Sequence, residues 1–333
     1  MKVLVVGLGS MGKRRVRNLQ ALGITDLAGV DAREDRRAEA ESRYELRTFS
    51  TLGAALEENW EAAVISLPPD LHVEAAQACV TRRIAFFVEA SVVLDGLSEL
   101  AEAVDSAGTI AMPSCTMRYF PGPRRIGEIV QSGQIGRPLF WRYHSGQYLP
   151  DWHPWEPISE YYVSKRATGG CREIVPFELT WLTHVFGRVT SVRGGRHKVG
   201  ELDADIDDLY TAELTQSGGL IGQLMVDVLS RPAVRDFRLI AAEGAIRWDG
   251  VANTLQVSQG QQRWEQVELR AGNPEAGYIN PEEPYIEEMS EFLDSVRSGN
   301  PPAYSLRDDI RMLKVLGAIE RSSVEGLATP VES

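Results

Sequence analysis

The chain has 333 residues, which is enough for about two domains with hydrophobic cores of their own. Hydrophobic residues make up 43% and charged residues 25%, a composition that excludes a disordered or fibrous chain. The chain has 35 Lys and Arg residues and 47 Asp and Glu residues, which gives a net charge of −12. A negatively charged surface repels phosphate backbones, so nucleic acid is not expected as a partner.

The first 115 residues alternate short apolar runs with segments of helical composition, which predicts βαβ units and a parallel sheet. The predicted strands are 2–6, 27–30, 62–67, 84–88 and 109–112. The predicted helices between them are 12–22, 34–44, 71–81 and 97–107. This pattern is typical of a doubly wound α/β sheet.

From residue 121 the alternation stops. A helix at 124–132, a strand at 138–146, an aromatic loop and a helix at 173–186 are predicted in that order. Long strands separated by glycine-containing turns then run from 189 to about 257, which predicts an antiparallel sheet. Two amphipathic helices, 282–298 and 306–325, follow.

Several features bear on location and on metal chemistry. The longest apolar runs, such as 84–88, are too short to cross a membrane, and the start of the chain does not have the pattern of a signal peptide. We therefore predict a cytoplasmic protein. Cys79, Cys115 and Cys171 are widely separated and predicted to be buried thiols, while His144 and His153 lack a third ligand, so no metal site is expected.

A glycine motif, Gly7-Leu8-Gly9-Ser10-Met11-Gly12, follows the first predicted strand and opens the first predicted helix. In that context the first glycine permits a tight turn, the second lets the backbone approach a pyrophosphate, and the third packs the helix on the strand. We predict that Gly7, Gly9, Ser10, Met11 and Gly12 bind a dinucleotide. The alternative is a tight glycine turn with no ligand.

Asp31 lies 24 positions after Gly7, at the end of the second predicted strand, where a carboxylate accepts a hydrogen bond from the adenosine ribose 2′-hydroxyl. This favours NAD as the cofactor over NADP. Arg33, Arg36 and Arg37 follow closely, and a guanidinium there could hold a 2′-phosphate or stack on adenine. Alternatively, these arginines form an exposed helix face.

Together with further segments, this motif resembles the Gfo/Idh/MocA family, the glucose-fructose oxidoreductase and inositol dehydrogenase group of NAD(P)-dependent sugar enzymes. The segments that carry the resemblance are 7–19, 66–72, Phe87-Val88-Glu89, 118–121, Gly169-Gly170, Gly244 and Asp249. The resemblance implies a Rossmann domain at 1–120. At 121–333 it implies an α+β domain with a large, mostly antiparallel open sheet, which binds substrate and pairs subunits into a homo-oligomer, a dimer or tetramer.

The resemblance also implies roles for single residues. Leu67, Pro68 and Glu89 would bind the cofactor, and Arg118 and Phe177 the substrate. His72 falls near the carboxyl end of a predicted strand, so it is expected to line the cofactor crevice, or else to cap a helix.

The segment 146–165 resembles a branch of the family from bacterial surface-glycan and unusual-sugar pathways, which indicates a carbohydrate ligand. Trp152 and Trp155 can stack on sugar C–H faces, while polar neighbours hydrogen-bond the hydroxyls. Those neighbours are Asp151, His153, Tyr161 and Tyr162. The alternative is an aromatic loop that packs on the sheet or at a subunit contact.

Three positions depart from the family pattern. Members that oxidise or reduce sugars have Glu-Lys-Pro after the fourth strand of this series, and the lysine moves the substrate proton, but this chain has Glu89-Ala90-Ser91. A later histidine and aspartate correspond here to Phe177 and Thr180. General acid-base help is worth about 10²- to 10⁴-fold in rate, so these changes matter.

Two explanations follow. In the preferred one, the protein is an NAD-dependent oxidoreductase of a sugar or sugar-derived substrate, with an atypical proton donor. Lys165 and Tyr162 are the predicted donors, and the further candidates are His153, Glu173 and Glu178. In the other, hydride chemistry is lost and the protein is a dinucleotide-binding sensor or partner-binding subunit.

Overall fold

The computed structural model describes residues 1–154, 156–260, 263–270, 272–273 and 280–332. The chain divides into two compact units, the first comprising 1–116 and 272–310 and the second 117–271 and 311–333. The division expected from the sequence, 1–120 and 121–333, differs from these units chiefly in residues 272–310.

The described strands and α-helices alternate regularly at first and then separate into a run of strands and two final helices. The strands are β1 Lys2–Val6, β2 Asp26–Val30, β3 Arg47–Phe49, β4 Ala62–Ile65, β5 Ala85–Val88, β6 Ala111–Pro113, β7 Pro138–Gly146, β8 Val189–His197, β9 Leu209–Gln216, β10 Ile221–Asp227, β11 Val234–Ala241, β12 Gly244–Asp249, β13 Thr254–Gln259, β14 Glu265–Val267 and β15 Thr329–Pro330. The helices are α1 Ser10–Ala21, α2 Glu34–Tyr44, α3 Leu52–Ala55, α4 His72–Thr81, α5 Leu97–Ala107, α6 Pro121–Ser132, α7 Gly170–Phe186, α8 Glu283–Ser298 and α9 Leu306–Glu325.

The first unit is built on a six-stranded parallel sheet of order β3-β2-β1-β4-β5-β6. Strands β4 and β5 are buried along their whole length, as expected for a parallel sheet covered on both faces. The predicted doubly wound parallel sheet is confirmed. Its strand order reverses between β1 and β4, and such a switch point is where doubly wound sheets bind ligands.

The second unit contains a nine-stranded sheet of order β14-β13-β12-β11-β7-β10-β9-β8-β15. Strands β7 and β10 are parallel and the other neighbours antiparallel, so the predicted large, mostly antiparallel sheet is also confirmed. An aromatic core lies on one face, where Trp181 of α7 packs 5.1 Å from Phe237 and 5.3 Å from Tyr143 between ring centroids.

The other face of this sheet is open in the described chain. Phe140 of β7 is 49% exposed and Met225 of β10 is 41% exposed, while their neighbours Trp141 and Leu224 are buried. The alternation follows from the period of two along a strand. The homo-oligomer that the resemblance implies, formed through this sheet, stays a prediction.

Within the described ranges, no helix combines the length and apolar character needed to span a bilayer. The cytoplasmic location stays a prediction. Cys79, Cys115 and Cys171 are buried, as predicted, and burial raises the pKa of the Cys79 thiol to about 12.

Asp309, in the first turn of α9, is an ionisable group inside the first unit. It is 3% exposed, and its Oδ1 accepts a hydrogen bond of 3.1 Å from the Tyr304 hydroxyl. Oδ2 has no hydrogen-bond partner among the described residues. Burial raises the pKa of this carboxyl to about 7, so the native state holds a proton that an unfolded chain, with a pKa of about 3.9, releases.

We therefore expect Asp309→Asn to stabilise the protein in a pH-dependent way. The folded pKa is the higher one, so the wild type loses stability as pH rises from about 4 to 7, and the loss is complete above 7. The variant should gain on the order of 2–4 kcal/mol in free energy of unfolding at pH 8 and little near pH 4, as measured by urea unfolding. Asp95→Asn, at an exposed position, is the control. An equal effect of Asp309→Asn at both pH values would contradict this account.

Candidate functional site

The glycine motif forms the turn between β1 and α1. Gly7 has φ +94°, a conformation that favours glycine, and a Cβ there would lie 2.5 Å from the Ser66 carbonyl oxygen. A Cβ on Gly12 would lie 1.8 Å from the Gly7 carbonyl oxygen. The fold therefore requires both glycines, whether or not a ligand is bound.

Gly9 differs from these two glycines. A Cβ on Gly9 would meet only the guanidinium of Arg36, 3.6 Å away. Gly9 is also the N-cap of α1, and no side chain caps the helix there. The backbone N–H groups of the first helical turn, from Ser10 to Gly12, therefore lie beside an open space at Gly9. A larger side chain at position 9 would fill that space. That arrangement fits the pyrophosphate of a dinucleotide.

Asp31 is held beside this turn, at the end of β2. Its Oδ2 accepts a 2.8 Å hydrogen bond from the backbone N–H of Leu8, and its Oδ1 accepts one of 2.9 Å from the N–H of Arg33. The carboxylate is thus fixed within hydrogen-bonding distance of the glycine turn, where a ribose hydroxyl is expected.

The three arginines after Asp31 are placed differently from one another. The exposed guanidinium of Arg33 pairs with Asp35 at 2.6 Å, and Arg37 donates to the Asp31 carbonyl oxygen at 2.8 Å. Arg36 lies 3.6 Å from the Asp31 carboxylate and also adjoins Gly9. The structure therefore brings Arg36, rather than Arg33, next to the glycine turn.

Leu67 and Pro68 follow β4, and His72 begins α4. His72 is buried, its Nε2 lies 2.8 Å from the Leu67 carbonyl oxygen, and burial lowers the pKa of its imidazole. Since a carbonyl can only accept, the neutral ring donates through Nε2 and holds the loop after β4. Direct contact of these three residues with a cofactor stays a prediction.

Glu89 directly follows β5, and sequence reasoning did not find its partner. Arg15 of α1 donates to both its oxygens, at 2.7 and 3.0 Å. Ala90 comes next, so the position that carries a lysine in the family's sugar oxidoreductases has no ionisable side chain.

In the second unit, α7 brings three predicted positions together. Arg118 donates through Nε to the Thr180 carbonyl oxygen at 3.1 Å, and the Thr180 hydroxyl donates to the Phe177 carbonyl oxygen at 2.7 Å. Arg118, Phe177 and Thr180 therefore form one contiguous group.

Glu178 lies on the same helix, inside the core of the second unit. It is fully buried and accepts hydrogen bonds of 2.8 to 3.2 Å from four side chains. The donors are the Tyr143 hydroxyl, the Ser145 hydroxyl, the Arg235 guanidinium and the Trp181 indole. These donors enclose the carboxylate and give Glu178 a structural role in the core, and the suggestion that it handles a substrate proton stays a prediction.

Tyr162 and Lys165 lie at the two ends of a short 3-10 helical turn in the aromatic loop. The Tyr162 hydroxyl donates to the Glu173 carboxylate of α7 at 3.0 Å. Lys165 is exposed. The structure thus joins two of the five proton-donor candidates, Tyr162 and Glu173, by a hydrogen bond.

The rest of the loop forms an aromatic and polar surface. The Tyr161 ring stacks on His153 at 4.7 Å between centroids, and His153 Nδ1 lies 2.7 Å from the Glu156 carboxylate. The Tyr161 hydroxyl and the Trp152 indole N–H are buried with no hydrogen-bond partner among the described residues. Trp155 lies outside the described residues.

A cavity of about 530 Å³ opens beside this loop, large enough for a sugar. Its lining combines rings with carboxylates and comprises Tyr148, Pro150, His153, Pro154, Glu156, Pro157, Ile158, Ser159, Glu201, Leu202 and Asp203. In the part of the chain that the structure describes, no group of three or more His, Cys, Asp or Glu side chains is arranged to hold a metal ion.

Two family models match the chain. Residues 1–114 match the oxidoreductase family with an NAD-binding Rossmann fold named Gfo/Idh/MocA, and residues 124–247 match a Gfo/Idh/MocA C-terminal domain. Together these segments take in well over half of the sequence.

Relatives and solved structures extend the match to the full length. A myo-inositol 2-dehydrogenase from Thermotoga maritima is 25% identical, over 98% of this chain and 96% of the relative. A levoglucosan dehydrogenase in complex with NADH has a TM-score of 0.87 at 18% identity, covering 100% of this chain and 99% of that one. An oxidoreductase from Agrobacterium radiobacter in complex with NAD⁺, L-tartaric acid and magnesium has a TM-score of 0.88 at 14% identity, covering 99% and 98%. These two likenesses establish the fold.

The glycines predict a contrast between two substitutions. Gly9→Val should fold with nearly unchanged thermal stability, because only a flexible arginine lies near the new side chain, and should lose dinucleotide binding. Gly12→Val should lose stability, because its Cβ would meet the Gly7 backbone. Thermal melts and calorimetric titration with NAD⁺ measure the two effects. Retained NAD⁺ binding by Gly9→Val would show that the space at Gly9 is not the pyrophosphate site.

Proposed function

Because the chain belongs to the Gfo/Idh/MocA family of oxidoreductases with an NAD-binding Rossmann fold, we propose that it is an NAD-dependent dehydrogenase of a sugar or polyol alcohol. The observation that carries the proposal is the space at Gly9, which lies at an uncapped helix N-terminus close to the Asp31 carboxylate. The name of the inositol dehydrogenase relative, together with the ring-lined cavity in the second unit, supports a polyhydroxy substrate.

When bound, the nicotinamide supplies the hydride acceptor or donor. The residues of the first unit would hold the cofactor: the N–H groups of Ser10, Met11 and Gly12 would bind the pyrophosphate, and the Asp31 carboxylate would accept a hydrogen bond from the adenosine ribose. A 2′-phosphate at the same place would meet the Asp31 carboxylate, so NAD is the cofactor rather than NADP.

We therefore expect the protein to bind NAD⁺ at least about tenfold more tightly than NADP⁺, since like charges repel at short range. Asp31→Ser should narrow the gap, because Arg36 then faces a 2′-phosphate without a competing carboxylate. Calorimetric titration of both cofactors gives the two dissociation constants. If the wild type bound NADP⁺ more tightly, Arg36 would be the 2′-phosphate site and the role given to Asp31 would be wrong.

We propose that Tyr162 and Glu173 transfer the substrate proton, because the side chain of Ala90 cannot carry a proton. In the oxidation direction, the proton of the substrate hydroxyl passes to the Tyr162 oxygen as the Tyr162 proton moves to the Glu173 carboxylate, 3.0 Å away. Lys165, three residues after Tyr162, is the second candidate and would act directly on the hydroxyl.

Substitutions in the loop and in α7 test this assignment. Tyr162→Phe and Glu173→Gln should each lower turnover about 10²-fold or more while the affinity for NAD⁺ stays unchanged. Lys165→Met should lower turnover only if Lys165 is the proton donor. Tyr210→Phe is a matched control in the same unit, because it also removes a hydroxyl that donates to a glutamate, Glu320, at 3.1 Å. Full activity of Tyr162→Phe, Glu173→Gln and Lys165→Met would place the proton donor elsewhere, with His153 the next candidate.

The replacements at Ala90, Phe177 and Thr180 favour a second candidate function, a dinucleotide-binding homologue without hydride chemistry that acts as a sensor or partner subunit. A panel of sugars and polyols, assayed by the absorbance of NADH, separates the two functions. Turnover of any member eliminates the sensor. Silence across the panel with intact NAD⁺ binding would contradict the dehydrogenase.

A further inference from the structure

A buried group of three charged side chains lies within the first unit, and we call it the Arg15 network. Arg15 of α1 pairs with Glu89 at 2.7 Å and with Glu288 of α8 at 2.9 Å. The rings of Phe87 and Tyr285 lie 4.5 and 5.4 Å from the guanidinium carbon. Arg15 and Glu288 are 0% exposed, so water does not screen these pairs.

Glu288 is held by donors on both of its oxygens. Oε1 accepts from the backbone N–H of Cys115 at 2.6 Å and from the Ser114 hydroxyl at 3.1 Å. Oε2 accepts from the Thr116 hydroxyl at 2.7 Å and from Arg15. Burial and the negative charge of Glu89 raise the pKa of Glu288, while Arg15 and the hydrogen bonds from Thr116 and Cys115 oppose that rise by stabilising the carboxylate.

Donors surround both oxygens of Glu288, so we count both carboxylates as ionised. With one guanidinium between them, the network then carries one negative charge in excess. Among the described residues, Glu89 and Glu288 are the charged groups that act on Arg15. The nearby imidazole of His72 does not offset the excess, because burial lowers its pKa and leaves it neutral. Glu89 is the only member that reaches the surface, with 13% of its side chain exposed.

The position of Glu89 decides which part of a cofactor meets this charge. A doubly wound sheet binds the two nucleotides of a dinucleotide on opposite sides of its switch point, at the carboxyl ends of the strands. Asp31 and the glycine turn lie on the β1–β2 side and take the adenosine half. Glu89 follows β5, on the side that takes the nicotinamide half.

We propose that Glu89, at the surface of the Arg15 network, makes the protein discriminate between the two redox states of its cofactor in favour of NAD⁺. The inference rests on the proposed dinucleotide binding. The nicotinamide ring is a cation in NAD⁺ and neutral in NADH, so a carboxylate whose charge is only partly balanced by the shared Arg15 attracts the oxidised ring more strongly than the reduced one. Glu89 is thus a specificity-determining residue for the oxidised form, and hydride transfer does not pass through it.

The test is the ratio of dissociation constants, Kd for NAD⁺ divided by Kd for NADH, measured by calorimetry on the whole protein. Glu89→Gln keeps a side chain of the same shape and removes the charge, so the ratio should rise about 3- to 10-fold, mainly through weaker NAD⁺ binding. Glu57→Gln removes the same charge from an exposed site between α3 and β4, towards the amino ends of the strands, and should leave the ratio unchanged. If Glu89 had a purely structural role, Glu89→Gln would weaken the binding of NAD⁺ and of NADH equally.

Equal weakening of the two forms by Glu89→Gln, or no change, would overturn the proposal. If that variant does not fold, Glu288→Gln removes one charge from the same network, and a raised ratio supports the proposal whereas an unchanged ratio overturns it. Failure of the wild type to bind either form would overturn dinucleotide binding itself. Binding of both forms with an insensitive ratio would overturn only the role of Glu89.

Discussion

The first unit depends on the burial of the Arg15 guanidinium, because a charge without water must be paired within the protein. Loss of one partner from such a pair costs about 3–5 kcal/mol, since it leaves the other charge buried and uncompensated. Glu89 comes from the end of β5 and Glu288 from α8, at the far end of the sequence. The pairing therefore connects α1, β5 and α8. Through Glu288 it also holds the segment 114–116, because the Ser114 and Thr116 hydroxyls both donate to that carboxylate.

The same pairing explains where sequence reasoning about the domains stopped short. The periodicity around residues 282–298 correctly predicts an amphipathic helix, because a helix repeats its apolar face locally. Periodicity does not say which sheet that face covers. Helix α8 follows the sheet of the second unit along the chain, yet it packs in the first unit. Its Glu288 pairs with Arg15, and its Phe292 packs against Phe87 of β5 at 5.9 Å between ring centroids. A contact between residues so far apart in the sequence leaves no local pattern at either end. The one local sign is that a charged residue, Arg15, stands four positions before the buried Leu19 of the same helix.

Several elements with strong local signals were predicted to the residue, whereas others were missed or had different bounds. The bounds of α2, α5, α9 and β7 agree with those expected from the sequence. Strand β3 was missed because Arg47–Phe49 is too short to show alternation, and α7 begins at Gly170 rather than 173. In the site, the glycine motif could be recognised from the sequence because its glycines stand at fixed spacing between a strand and a helix, and Gly7 and Gly12 are each required by a close backbone approach. The partners of Glu89 and Glu178 are tertiary contacts, and could not be predicted.

The replacement of the family's lysine by Ala90 has two physical consequences that belong together. A lysine beside Glu89 would be both a proton carrier and a cation next to a carboxylate. Without it, the proposed dehydrogenase needs another proton carrier, and we assign that role to Tyr162 and Glu173, which are joined by a hydrogen bond. Among the residues that the structure describes, the cation paired with Glu89 is then Arg15, which it shares with Glu288. The end of β5 in this chain is therefore an anionic position, and its effect on a bound cofactor is one of charge rather than of proton transfer.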